Sequence, residues 1–202
     1  MATEPLRFGE KRFPLPHHYQ SLLYFFMLGS GLAFLTFTLL FFYRSQAPAI
    51  GLTYLPKWFA FSLFLLLVGS ISAQKMQTAF DRENPRLLNQ LQLWLIFIIM
   101  AFTCSQAMGW QELRLHLGRA DQLTSRVLVY LSSGLHLLHL LAGLVWSFIR
   151  TQKIRRLQND PVRQLVFFQN PAERLYLKLY AHYWHFLDVL WVLLFFAMFF
   201  AL

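Results

Sequence analysis

The chain has 202 residues, 57% hydrophobic and 13% charged, where a soluble domain carries roughly 25% charged residues, and its formal net charge is +9. The apolar residues are gathered into a few long runs, which excludes a soluble core and points to membrane spans. Lys and Arg fill the gaps between runs, so anionic lipid headgroups rather than nucleic acid are the expected counter-charge, and a single cysteine, Cys104, excludes an intrachain disulfide or a Cys-built metal site.

The opening stretch MATEPLRFGEKRFPLP is polar. Residues 1–20 are therefore predicted to be a cytoplasmic segment with no cleavable signal, the first helix acting as its own insertion signal. His17 and His18 are expected at the interface. The first span is predicted over about residues 21–43, where Gly29, Ser30 and Gly31 give a small surface for a close helix approach. Ala47 to Pro56 reads as a short turn. The second span, about 57–79, is bounded by Lys57 and Lys75, whose stems would snorkel, and it ends in Gly69, Ser70, Ser72 and Ala73. Asn84-Pro85 marks a helix break. The third, fourth and fifth spans are predicted over about 88–111, 127–149 and 179–201. Cys104, inside the third, reads as core packing. Helices are the only open-chain way to satisfy backbone groups in lipid. The expected fold is thus all-α: a polytopic membrane protein, with one bundle of five transmembrane helices over 21–202.

The connection from Arg150 to Lys178 is too basic to enter lipid. Within it, Asn159-Asp160-Pro161 and Asn170-Pro171-Ala172-Glu173 each resemble a helix N-cap followed by proline, and Glu173 sits where a capping box places its acid. A helical segment outside the membrane is predicted there. Thirteen Lys and Arg fall in the N-terminal segment and the second and fourth connections, and five on the other side. The positive-inside rule then puts the N-terminus in the cytoplasm and the C-terminus outside.

An ionisable residue in a span is costly and marks function or a specific contact. The fourth span carries His136 and His139 one turn apart; the fifth carries His185 and Asp188 in the same way. Counted from the cytoplasmic ends, His139 is about 16 Å deep and Asp188 about 12 Å, within reach of one another. Three readings stay open: an interhelical hydrogen-bond clamp, heme ligation, and a proton relay. A spacing of three residues does not serve two hemes. Glu112 and Asp121 lie toward the far side, and no ladder of acids joins them to the pair. Gly134 and Gly143 give the fourth span a small surface. Tyr176, Tyr180, Tyr183 and Trp184 are expected to form an interfacial belt. Arg150, Lys153, Arg155 and Arg156 stand where the fourth helix leaves the membrane, either as topology-setting charge or as an anionic headgroup site.

Two segments are recognisable. Ser133 to Gly143 resembles the small-Gly-apolar-His-x-x-His-x-x-x-Gly pattern in the penultimate helix of heme–copper oxidase subunit III. Tyr183 to Trp191 resembles the Tyr-Trp-His-Phe-x-Asp-x-x-Trp signature of that family's last helix. Gln106-Ala107 followed by Trp110 is similar to its Gln-Ala-x-Glu-aromatic stretch. The likeness covers most of Leu22 to Leu202 and fits the five-helix form, which lacks the first two helices of the fuller, seven-helix form and with them one wall of its lipid cleft. Gly134, Gly143, Gln106, Trp110, Glu112, Tyr183, Trp184 and Trp191 are the other motif positions. Family acidic residues align with Gly31 and Gly109, while Glu112 remains where the family often has an acid.

The resemblance implies a subunit without a redox cofactor of its own, in a bacterial cytoplasmic membrane. It would bind structural phospholipid and contact oxidase subunit I, beside subunit II and small subunits. Heme and copper would lie in those partners, and the complex would reduce oxygen to water and pump protons. Membership of a larger respiratory supercomplex stays open. The alternatives are a subunit III-like accessory protein of a nitric oxide reductase and a stand-alone b-type cytochrome. A small transporter is a further one, against which stands the lack of an inverted repeat or a pair of broken helices.

Overall fold

A computed structural model describes residues 17–45, 55–116, 123–158 and 160–200. All the regular structure among them is helical: α1 (His17–Ser45), α2 (Lys57–Asp81), α3 (Pro85–His116), α4 (Leu123–Leu157), α5 (Pro161–Phe168) and α6 (Pro171–Phe200). Every helix except α5 is long and apolar enough to cross a membrane, so the chain is an all-α, multi-pass membrane protein. Residues 1–16, the centre of the predicted 47–56 turn, and Asp121 lie outside the described residues.

The boundaries follow from backbone chemistry. α2 runs past Lys75 to Asp81, and it is closed by the Arg82 N–H on the Thr78 carbonyl and the Glu83 N–H on the Phe80 carbonyl. Glu83, at a positive φ of 51°, turns the chain toward α3. Asn84 then caps α3, its Oδ1 accepting from the Leu87 N–H at 3.0 Å. Asp160 caps α5 by accepting from the Val162 and Arg163 N–H groups at 3.1 and 3.2 Å, and Asn170 caps α6 by accepting from the Ala172 N–H at 3.0 Å. The Asn-Pro break and both Pro-led helix starts are where they were expected.

The capping box at Glu173 does not form. Its carboxylate leaves its own helix end and takes Arg150 and Lys153 of α4, each at 2.5 Å. The Asn170 N–H it would have capped already donates to the Phe167 carbonyl. Two cations offer the carboxylate a stronger partner than one satisfied amide.

α2 packs most closely on α3 and α6, α3 also packs on α4, and α1 leans on α4 and α6 from outside. In lipid an outward Leu or Phe carries no penalty, so packing rather than burial from water holds the bundle. α6 has half of its apolar window buried and α1 only 17%, which makes α6 the central helix and α1 a peripheral one. The innermost side chains include Phe34, Phe59, Leu66, Leu95, Phe102, Leu140, Leu187 and Trp191.

At one end, the ends of α2, α4 and α6 are tied together by α5. Phe80 packs its ring against Phe167 and Phe168 at 5.7 and 5.3 Å, and Arg174 meets Asp81 at 3.1 Å. This end carries the basic connection read from the sequence as helical.

Candidate functional site

The polar residues of α4 lie in an aromatic enclosure. His136 is wholly buried. Its ring lies 5.1 Å from Trp191, 5.6 Å from Phe102 and 6.1 Å from Phe34, so α6, α3 and α1 all close on it. His139 faces Phe26 and Phe34 of α1 at 5.2 and 5.9 Å. Its Nδ1 is 2.7 Å from the Leu135 carbonyl, and since a carbonyl only accepts, that nitrogen carries the proton. Among the described residues both ring nitrogens of His136 and Nε2 of His139 have no hydrogen-bond partner.

His185 and Asp188 turn elsewhere. His185 Nδ1 is 2.7 Å from the Ser70 hydroxyl of α2, and 3.9 Å from Asp188 Oδ2. The imidazole is 47% exposed and the Asp188 side chain only 10%. Among the described residues neither oxygen of Asp188 makes a well-formed hydrogen bond, although the Ser70 hydroxyl lies beside it. Among the described residues no hydrogen bond or ion pair joins the α4 pair to the α6 pair.

The two helices are linked differently. Tyr183 donates its hydroxyl to the His139 carbonyl at 2.8 Å, Tyr180 and Ser147 share a short hydrogen bond, and Glu173 binds Arg150 and Lys153. The reason is rotational. Each residue turns the helix by about 100°, so the face that sends Trp191 to His136 sends His185 toward α2 and the surface.

Two expectations are corrected here. Tyr180, Tyr183 and Trp184 are buried inside the bundle and form no interfacial belt. Their spacing with Leu187 and Trp191, one helix face, was the signal for this. Cys104 is exposed on α3 and not in the core.

The remaining motif positions are packing and hydrogen-bonding residues. Gln106 is fully buried and donates to Ser62 at 3.1 Å. Trp110 donates its indole N–H to Ser133 at 2.9 Å and accepts at its carbonyl from Tyr130. Glu112 is half-buried on α3. A Cβ at Gly143 would lie 3.4 Å from Tyr183, and one at Gly31 would lie 3.5 Å from Phe186, so those glycines are close-approach points. Gly134 has only Trp110, at 4.0 Å, and Gly29 has no neighbour within 4 Å. Gly109 is the tightest, with the Phe59 ring filling the place of its side chain.

The basic group divides. Arg150 and Lys153 are held by Glu173, with the Phe167 ring beneath both at 5.7 and 5.8 Å, whereas Arg155 and Arg156 are exposed. Sequence reasoning passed over Ser62 and Ser147 and read Ser70 and Ser133 only as a small residue and a motif position, yet all four are hydroxyls that answer polar groups of neighbouring helices. Ser70 and Ser133 stand beside Gly69 and Gly134, a small-polar pattern typical of helix contacts in membranes.

Among the described residues no three His, Cys, Asp or Glu side chains converge as metal ligands. Set against protein-family models and curated proteins, the chain matches none.

Proposed function

We propose that this chain is the non-catalytic subunit III of a heme–copper terminal oxidase in a bacterial cytoplasmic membrane. It would stabilise subunit I and hold structural lipid, with heme and copper in the partner subunits. The observation that supports this most is the way the two motif helices meet. Trp191 of the last-helix motif lies 5.1 Å from the His136 ring of the penultimate-helix motif, and Tyr183 bonds to the His139 backbone. The shared residues serve one another in packing, which suits a structural subunit. The basic connection at the α5 end supports a cytoplasmic N-terminus and an external C-terminus, with Arg155 and Arg156 as headgroup contacts.

Purification of the tagged chain from native membranes in mild detergent tests this. Subunits I and II of an oxidase, identified by mass spectrometry, are the expected companions. Companions from a nitric oxide reductase would replace the reading with its nearest alternative. A chain that emerges alone with a Soret band would overturn it in favour of a cytochrome. In the purified complex, His139→Leu should lower retention of the subunit several-fold while heme per catalytic subunit stays constant. Loss of heme would count against a structural role.

A further inference from the structure

α2 and α6 pack antiparallel: Asp81 meets Arg174 at one end of the contact, and Ser70 meets His185 farther along. At about 100° per residue, Ser70, Gln74, Gln77 and Asp81 fall within roughly 60° of one another on α2. Arg174, Lys178, His182, His185 and Asp188 fall within roughly 120° on α6 in the same way. Two polar stripes therefore border one groove.

The groove opens at the basic end. Gln77, Arg174 and Lys178 line a cavity of about 420 Å³ there, with room for on the order of ten waters at roughly 30 Å³ each. Lys75 and Lys178 are the last cations on the two helices before their apolar runs, so this mouth stands where both helices leave hydrocarbon. Gln74 and His182, both exposed, continue the groove inward. It ends on Ser70, whose hydroxyl is 2.7 Å from His185 Nδ1 and lies beside Asp188. The Asp188 carboxyl, about 15 Å along the axis from Lys178, is 10% exposed.

Acyl chains would leave all of these donors and acceptors unmet. A neighbouring helix is also a poor fit. Where helices of this chain approach closely a glycine lies at the contact, as at Gly31, Gly69 and Gly143. The open edge here carries Lys178, His182 and Gln74 instead, whose length holds a neighbour away. Water meets every one of these groups and has an entrance. The inner end can also pass a proton. Ser70 has a single hydroxyl proton, so when a protonated His185 donates from Nδ1 to the Ser70 oxygen, the hydroxyl is free to turn to Asp188. Asp81 is held by Arg174 at the mouth, α1 has no charged residue between His18 and Arg44, and on α4 His136 and His139 turn to Trp191, Phe26 and Phe34.

We infer that the groove between α2 and α6 is a water-filled inlet through which Asp188 exchanges a proton with the aqueous phase at the basic end. A proton from bulk water passes along groove water, with His182 and His185 as way stations, to the Asp188 carboxylate. The neutral acid returns it by the same route, and no other reactant is consumed. The inlet does not depend on which subunits accompany the chain.

Cysteine accessibility in the full complex, in native membranes opened to reagent on both faces, tests the water. Cys104→Ser supplies the background. Gln74→Cys and Ser70→Cys should react with a cationic methanethiosulfonate about tenfold or more faster than Ile71→Cys, because the attacking thiolate forms only where water reaches it. Ile71 is next to Ser70 in depth and 54% exposed on another face of α2. Should Ser70→Cys misfold, Gln74→Cys, at an exposed position, gives the comparison alone. Rates no faster than that of Ile71→Cys mean that lipid or a partner helix fills the groove, and overturn the inlet. The infrared carboxylic C=O band of Asp188, identified by its loss in Asp188→Asn, tests the proton. It should follow bulk pH and shift in deuterated buffer, and Gln74→Leu with His182→Leu should slow that shift several-fold. A band that ignores pH and deuterium, no band at all, or a shift that the double variant does not slow overturns the exchange, however fast the cysteines react.

Discussion

Glu173→Ala is expected to lower the thermal midpoint of the detergent-solubilised chain by about 6–12 °C, from a loss on the order of 3 kcal/mol. Glu173 stands in the first turn of α6, its side chain 7% exposed, and it answers Arg150, 11% exposed, on α4. Alanine would leave the guanidinium enclosed without a counter-charge. Lys153 is half exposed and can turn to water, so its own removal should cost less than about 1 kcal/mol. The Phe167 ring stays beneath the cations but is a weaker partner than a carboxylate. Replacing both charges, as Arg150→Leu with Glu173→Leu, should recover most of the loss, because the penalty comes from the orphaned charge. A midpoint that moves by less than about 2 °C in Glu173→Ala would mean that this ion pair does not hold α4 to α6.

The other large effect lies in the bundle centre. A methyl group at Gly109 would come within 2.6 Å of Cδ1 of Phe59. That ring has nowhere to go. It is wholly buried and meets Trp191 at 5.7 Å, which in turn packs on Phe102 and His136. Gly109→Ala should therefore cost about 1–3 kcal/mol by overpacking. Gly109→Glu should cost more, since a carboxylate would also be stripped of water. Little folded chain is expected in the membrane. Adding Phe59→Ala opens room, so the double variants should be less damaged than the single effects predict, with a coupling of about 1 kcal/mol or more. Strict additivity would mean that the two positions do not press on one another.

Hydropathy alone made the number of spanning helices legible, because hydrocarbon leaves a chain no other way to satisfy its backbone. Punctuation was legible too. Asn84-Pro85, Asp160-Pro161 and Asn170-Pro171 act within a few residues through side chain and N–H, so local sequence suffices to place them. Less visible were the contacts made by Glu173. Its spacing from Asn170 is correct for a local cap, yet Arg150, more than twenty positions away, takes it.

Amino-acid order by itself determined that this is a multi-pass helical membrane protein, where its helices start, and which of their residues are too polar to be idle. Tertiary structure decided how those residues are matched: His136 to an aromatic enclosure, His139 to its own helix through its ring and to Tyr183 through its carbonyl, and His185 and Asp188 to the neighbourhood of Ser70 on α2. The division has a geometric cause. Transfer to lipid depends on composition summed along a segment. Partnership depends on the rotation of each helix about its axis, and only the packing of all the helices together sets that angle.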